Sequence, residues 1–150
     1  MKLSEHFSLE ELTFSQTAVR NGWDNLPNAD ALANLHRLAA MLEEIRAFIK
    51  KPINISSGYR SKRVNTAVGS KETSQHRTGQ AADIKVSGMS AEQLMRAIIQ
   101  AGVGYDQLIL EFANPDGTGG WVHISISAKD KEPRGEKLII DRFGVRLYDD

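Results

Sequence analysis

The sequence contains no cysteine among its 150 residues. Disulfide bonds, thiolate metal ligands and cysteine nucleophiles are therefore all excluded. An excess of either charge is also missing, since Lys plus Arg and Asp plus Glu both number 19 and the formal net charge is zero. A net charge of zero does not indicate the basic surface with which proteins bind nucleic acids, so we expect no nucleic acid among the partners.

Long apolar runs are absent as well. No stretch approaches the ~20 consecutive apolar residues that a transmembrane helix requires, so no transmembrane segment is predicted. Residues 1–7 lack the apolar core of a secretory signal peptide, and we expect none. The length and a hydrophobic content of 41% predict one domain over residues 1–150, with 1–27 as an N-terminal packing arm and 129–150 as a C-terminal extension.

Helix signals occur at four places in the sequence, one of them a short helix predicted over 61–68 with Ser61 as its cap. Ser8 and Glu11 form a capping-box pattern before a short helix, and Ser90 and Gln93 form a second one. The longest helix is predicted to begin at Asn28. Leucine and isoleucine then recur at spacings of three or four residues, which is the pattern of a helix with one buried face.

Strand signals lie between and after these helices. Alternating or β-branched runs predict strands at 53–57, 80–86, 105–112 and 120–126, with a last pair of edge strands at 137–141 and 145–148. The turn-forming residues after Phe112 predict that the third and fourth strands form a hairpin. The sequence therefore predicts an α+β fold, with a single central, mainly antiparallel sheet and helices packed against it.

Three residues form a candidate metal site. His76 lies in a polar, turn-prone run, and Asp83 follows in a predicted strand, with Gly79 between them to let the backbone turn back. His123 lies on the polar face of another predicted strand. Imidazole nitrogens and a carboxylate oxygen together suit zinc, and catalytic zinc takes three protein ligands and leaves a fourth position to water.

The segments that contain this trio resemble a known family. The pattern Ser-x-His-x-x-Gly-x-Ala-x-Asp at 74–83, with Ser-Gly-Tyr-Arg-Ser at 57–61 and Trp-Val-His at 121–123, is similar to that of the zinc D-Ala-D-Ala carboxypeptidases and related phage endolysins. The resemblance covers roughly residues 30–127. It implies the fold that Hedgehog and D,D-peptidase domains share.

The resemblance implies a zinc metallopeptidase whose one catalytic zinc ion is bound by His76, Asp83 and His123. Its substrate would be the peptide stems of peptidoglycan, cleaved as by a D,D-carboxypeptidase or an L-alanyl-D-glutamate-type endopeptidase. Such a phage or bacterial lysin would be made in the bacterial cytoplasm and act at the cell wall or periplasm after release, or be carried in a virion. Outside a virion we expect a monomer.

Roles for residues around the metal also follow from the resemblance. Arg60 corresponds to the family arginine that points at the substrate carbonyl and stabilises the oxyanion, which suits an always-charged planar guanidinium. Tyr59 and Ser74 are predicted to bind substrate beside Arg60. A loop or N-cap position is the alternative interpretation of Ser74.

The general base is not at its usual place. Many family members carry Asp or Glu three residues before the second histidine ligand, where this sequence has Gly120. Glu111 is the best replacement, because it is an acid in an apolar strand that is predicted to pair with the strand of His123. It would take a proton from water and return it to the leaving amine. Asp106, near the start of that strand, and Asp116, in the turn, are the other candidates.

Two alternatives to an enzyme stay open. Gly120 is also compatible with a catalytically silent zinc domain, since the related Hedgehog-type fold binds partners. The second alternative is a structural domain of a phage tail. A serine hydrolase is disfavoured, because no nucleophile-elbow pattern is present.

Overall fold

A computed structural model describes residues 1–150. The chain forms one six-stranded sheet, five α-helices and one 3-10 helix. The helices are α1 (Leu9–Thr13), α2 (Gln16–Asn21), α3 (Ala29–Ile49), α4 (Lys62–Ala67) and α5 (Ala91–Ala101), and the 3-10 helix is Gln75–Thr78. The strands are β1 (Asn54–Ser57), β2 (Ala81–Lys85), β3 (Gln107–Glu111), β4 (Trp121–Ser125), β5 (Glu136–Asp141) and β6 (Gly144–Leu147). None of the helices combines the length and the apolarity that a membrane span requires.

The strand order in the sheet is β1-β2-β4-β3-β5-β6. All neighbouring strands are antiparallel except β3 and β5, which run parallel. Helix α5 packs against α3 and against strands β3 and β4. The predicted α+β fold, with a single mainly antiparallel sheet and helices packed against it, is confirmed. The predicted hairpin of the third and fourth strands is confirmed as well.

Side-chain caps fix where the main helices begin. At the start of α3, Asn28 Oδ1 accepts a hydrogen bond of 2.8 Å from the backbone N–H of Ala31. Ser8 and Ser90 form complete capping boxes with the residues three positions later, as predicted. Helix α3 turns one apolar stripe to the core, and its fully buried members include Leu35, Leu38, Leu42 and Ile45.

The sheet has an apolar face and a polar face, because successive side chains of a strand point to opposite sides. The apolar face belongs to the hydrophobic core, and its fully buried residues include Ile84, Leu108, Val122 and Ile124. Burial of each such side chain stabilises the fold by about 1.5–3 kcal/mol. This burial sets the register, so that Asp83 and His123, which lie opposite each other on β2 and β4, point to the other face.

The C-terminal strands differ from the predicted pair of edge strands. Strand β5 lies inside the sheet between β3 and β6, and only β6 is at the edge. The chain reaches this position because residues 126–135 run back past the start of β3, where the N–H of Gly135 donates to the carbonyl of Tyr105. Tyr148, which is 7% exposed, anchors the end of the chain in the core. The parallel pairing makes β5 a direct neighbour of the strand that carries Glu111.

Candidate metal centre

Three buried side chains, those of His76, Asp83 and His123, meet on the polar face of the sheet. Asp83 and His123 come from the paired strands β2 and β4, and His76 comes from the 3-10 helix that precedes β2. One potential ligand atom of each residue lies within 4.8 Å of those of the other two. The structure thus brings together, from three separate elements, the trio that the sequence analysis singled out.

His76 is held with one ring nitrogen turned toward Asp83. Its Nδ1 lies 2.7 Å from the carbonyl oxygen of Gly58, which can only accept, so Nδ1–H donates and Nε2 carries the free lone pair. That Nε2 lies 3.3 Å from Asp83 Oδ1. The backbone is fixed too, because the N–H of Arg60 donates to the carbonyl of His76 at 2.9 Å. A carbonyl that orients the ring in this way is the usual support of a metal-binding histidine.

The turn between His76 and Asp83 requires a glycine. Gly79 has a φ of +75°, and a Cβ at this position would lie 2.5 Å from the carbonyl oxygen of Ala31. The missing side chain therefore allows the 3-10 helix to lie directly against α3. The result is a rigid support for His76 from the longest helix of the protein.

The carboxylate of Asp83 lies between the two imidazoles. His123 Nδ1 is 3.1 Å from Oδ1, the same oxygen that faces His76. Burial by itself raises the pKa of Asp83, but the two neighbouring imidazoles, those of His123 and His76, outweigh burial and hold the pKa well below its usual range. Asp83 is therefore an anion at neutral pH.

The spacing of these atoms fits a zinc ion. In a tetrahedral site with bonds of about 2.0–2.1 Å, neighbouring ligand atoms are about 3.3–3.4 Å apart. The distances from Asp83 Oδ1 to His123 Nδ1 and His76 Nε2 are 3.1 and 3.3 Å. Two nitrogens and one carboxylate oxygen are also a ligand set of catalytic zinc, which leaves a fourth corner for water or substrate. The two distances from Asp83 and the donor chemistry of the trio therefore fit zinc.

The trio lies in a cleft of about 890 Å³. Arg60 lines the cleft beside Asp83, with its Nη2 3.8 Å from Oδ2, and its Nε donates to Ser57 Oγ at 3.2 Å. Ser74 lines the cleft too, and its Oγ accepts from the N–H of His76 at 3.2 Å. Ser74 therefore caps the 3-10 helix from a position at which it can also contact a substrate.

Tyr59 does not reach this cleft. It is 8% exposed, belongs to the hydrophobic core and is not among the residues that line the cleft. Its backbone is bonded on both sides, because its N–H donates to the carbonyl of Leu12 and its carbonyl accepts from Asn25 Nδ2, both at 2.8 Å. Tyr59 holds the segment with Arg60 against the N-terminal residues, and its position does not support the predicted contact with substrate.

Glu111 is the one carboxylate besides Asp83 that lines the cleft. It lies opposite Trp121 in the β3–β4 pair, and its Oε2 accepts from Trp121 Nε1 at 2.6 Å. Burial, together with the negative charge of Asp83, raises the pKa of Glu111 above its usual value. A fixed carboxylate of this kind can take up and release a proton during a reaction.

The two other acids considered as bases lie elsewhere. Asp106 is buried and pairs with Arg134 at 2.7 Å, and hydrogen bonds from this arginine lower the pKa of Asp106 to about 2. Its Oδ2 also accepts from Gln75 Nε2 at 2.9 Å, and Gln75 directly precedes His76. Asp116 is exposed and shapes its turn by accepting from the N–H of Thr118 at 3.0 Å. The link from Arg134 through Asp106 to Gln75 was not predicted, because its members are far apart along the chain.

Gly120 occupies the position where the family acid is expected, and the backbone excludes a side chain there. Its φ is +75°, and a Cβ would lie 2.6 Å from both the nitrogen of Ala113 and the carbonyl oxygen of Glu111. These are backbone atoms, which cannot rotate away. An aspartate or glutamate at this position would therefore need a different turn between β3 and β4.

We expect Gly120→Ala to lower the free energy of unfolding by about 2–4 kcal/mol, because it adds a backbone clash to the cost of a left-handed residue. Gly117→Ala is the matched control, since Gly117 has a φ of +87° and no atom within 4 Å of an added Cβ. The control should lose only about 1–2 kcal/mol. Urea denaturation measures both losses, and equal losses would contradict the clash.

Comparison with known sequences agrees with this geometry. Two histidines and an aspartate that could hold a metal ion in an open cleft, with a further carboxylate in the same cleft, are the arrangement of a metallohydrolase site. Residues 5–125, most of the chain, match the sequence profile of the family Peptidase M15. The chain belongs to this family, the zinc D-Ala-D-Ala carboxypeptidase family, as the resemblance predicted. No match was found among curated proteins.

Proposed function

We propose that the protein is a zinc-dependent peptidase that hydrolyses peptide bonds in the stem peptides of peptidoglycan. The observation that carries this proposal is the position of Glu111, the one further carboxylate in the cleft that holds His76, Asp83 and His123. Membership of a peptidase family supports a peptide substrate. The bond cleaved is that of a D,D-carboxypeptidase or of an L-alanyl-D-glutamate-type endopeptidase.

His76 through Nε2, Asp83 through a carboxylate oxygen and His123 through Nδ1 would hold the zinc ion. Bound zinc supplies a Lewis acid that polarises the scissile carbonyl and lowers the pKa of a water molecule to about 7. The carbonyl of Gly58 accepts a hydrogen bond from Nδ1 of His76 and so leaves Nε2 as the nitrogen that faces the site.

Glu111 accepts a proton from the attacking water while the water oxygen bonds to the carbonyl carbon. When the C–N bond breaks, Glu111 returns the proton to the leaving amine, so one water is added across the peptide bond. Arg60 stabilises the negative charge on the carbonyl oxygen with a guanidinium that Ser57 holds in place. Ser74 contributes a hydroxyl at the wall of the cleft.

Peptidoglycan as the substrate rests on the activity for which the family is named and on the resemblance of the three sequence segments to phage endolysins. We propose a phage or bacterial lysin that acts at the cell wall after release, or as part of a virion. Outside a virion the protein would act as a monomer, since the trio, Arg60 and Glu111 all come from one chain.

Digestion of purified peptidoglycan tests this proposal. We expect new muropeptides in the mass spectrum, with masses that show which bond is cut. A chelator should abolish the products, and added zinc should restore them. Zinc binding without any new muropeptide would contradict the peptidase and favour the catalytically silent zinc domain. Oligomer assembly without cleavage would favour a structural piece of a phage tail.

A further inference from the structure

The face of the sheet that carries the metal centre continues onto strands β5 and β6. The strand registers define two rows of side chains across this face. One row is Asp83, His123, Ile109, Leu138 and Leu147, and the other is Trp121, Glu111, Ile140 and Val145. Because directly opposite residues share a face, each row leads from the reaction centre to apolar side chains.

We name Leu138, Ile140, Val145 and Leu147 the C-terminal wall. The first three line the same cleft as the metal-ligand trio. Val145 is 65% exposed and Leu147 is 76% exposed, so the wall offers apolar surface to a ligand. It lies beyond residue 125, where the family match ends. The wall is therefore a feature that the family match does not account for.

We propose that the C-terminal wall binds an apolar side chain of the substrate, on the amine side of the scissile bond. This inference rests on the proposed peptidase function. Arg60 follows β1 at one end of the sheet order, whereas Glu111 lies on β3, beyond the zinc ligands. Since Arg60 faces the carbonyl oxygen and Glu111 protonates the amine, the leaving residue extends toward β5 and β6.

The distances suit a contact with the first leaving residue. Glu111 is in register with Ile140, and neighbouring strands lie about 4.8 Å apart. One extended residue of the substrate spans about 3.4 Å, which is close to the spacing between two strands. The side chain of the first residue beyond the scissile bond therefore lies over the C-terminal wall. A methyl group gains from this surface, whereas a carboxylate placed directly on these apolar side chains would lose hydration. The wall therefore favours a D-Ala-D-Ala bond over an L-Ala-D-Glu bond.

Peptide binding to zinc-loaded protein tests the wall without depending on turnover. The zinc-loaded Glu111→Gln variant, in which chemistry is blocked, is titrated calorimetrically with three stem pentapeptides that end in D-Ala-D-Ala, D-Ala-Gly or D-Ala-D-Glu. We expect the D-Ala peptide to bind roughly five- to tenfold more tightly than the Gly peptide and the D-Glu peptide to bind weakest.

Adding Val145→Thr and Ile140→Thr to this background should reduce the D-Ala to Gly ratio to below about twofold. Val19→Thr is the matched control, because Val19 is 68% exposed on α2 and is not among the residues that line the cleft, and it should leave the ratio unchanged. Circular dichroism checks that each variant is folded. If the double variant does not fold, the single variant Val145→Thr is used in its place.

An unchanged ratio in the wall variants, or tightest binding of the D-Glu peptide, would overturn the inference. So would a native dimer that Val145→Thr converts to a monomer while the ratio stays the same, since the wall would then be a contact between two copies. Hydrolysis by the protein that keeps Glu111 is scored separately. Its absence would count against the proposed function, whereas an unchanged ratio counts against the wall alone.

Discussion

We expect Glu111→Gln to lower turnover of stem peptides by about two to four orders of magnitude while zinc affinity stays the same. The amide keeps the size of the side chain and can still accept the hydrogen bond from Trp121 Nε1. It cannot carry a proton from water to the leaving amine. Stopped assays of released product give kcat and KM, and a competition titration gives the zinc affinity.

Glu92→Gln is the control for this change, since Glu92 lies on the surface of α5 and pairs only with Arg96 and Tyr148. It should keep full activity. Near-native turnover of Glu111→Gln would remove Glu111 from the role of general base. A loss of zinc together with activity would make Glu111 a part of the metal site instead.

The second large effect is expected from His123→Ala, which removes one of three zinc ligands. An outer hydrogen-bond partner of a ligand is worth roughly 10–100-fold in metal affinity, so losing the ligand itself should cost more than about 100-fold. Hydrolysis should fall to background at limiting zinc. Equilibrium dialysis against a zinc-buffered solution measures the affinity.

His36→Ala is the matched control for His123→Ala, because His36 is exposed on α3 and away from the cleft. It should bind zinc as the native chain does. An equal loss in both variants would point to a general effect of removing histidine. An unchanged affinity in His123→Ala would place the metal elsewhere.

Features with local causes were predictable from the sequence. The capping boxes at Ser8 and Ser90 and the start of α3 at Asn28 involve residues three positions apart, and all three were correct. The strands with Asp83 and His123 were predicted because their alternation has a period of two. The assignment of Glu111 as an acid beside the metal came from its presence in an otherwise apolar strand.

Features that depend on distant partners were not predictable. The parallel pairing of β5 with β3 is not encoded in the local pattern of either strand, so the apolar side of the cleft was missed. Asp106 has partners 28 and 31 residues away, in Arg134 and Gln75. The burial of Tyr59 follows from its contact with the N-terminal residues, which the motif around Arg60 does not show.

The zinc content of the purified protein tests the central claim most directly. After exposure to zinc and removal of the excess, mass spectrometry under native conditions should show one zinc ion per chain, and the ion should be absent from His123→Ala. A folded protein that stays free of metal and gains no thermal stability from added zinc would contradict the account.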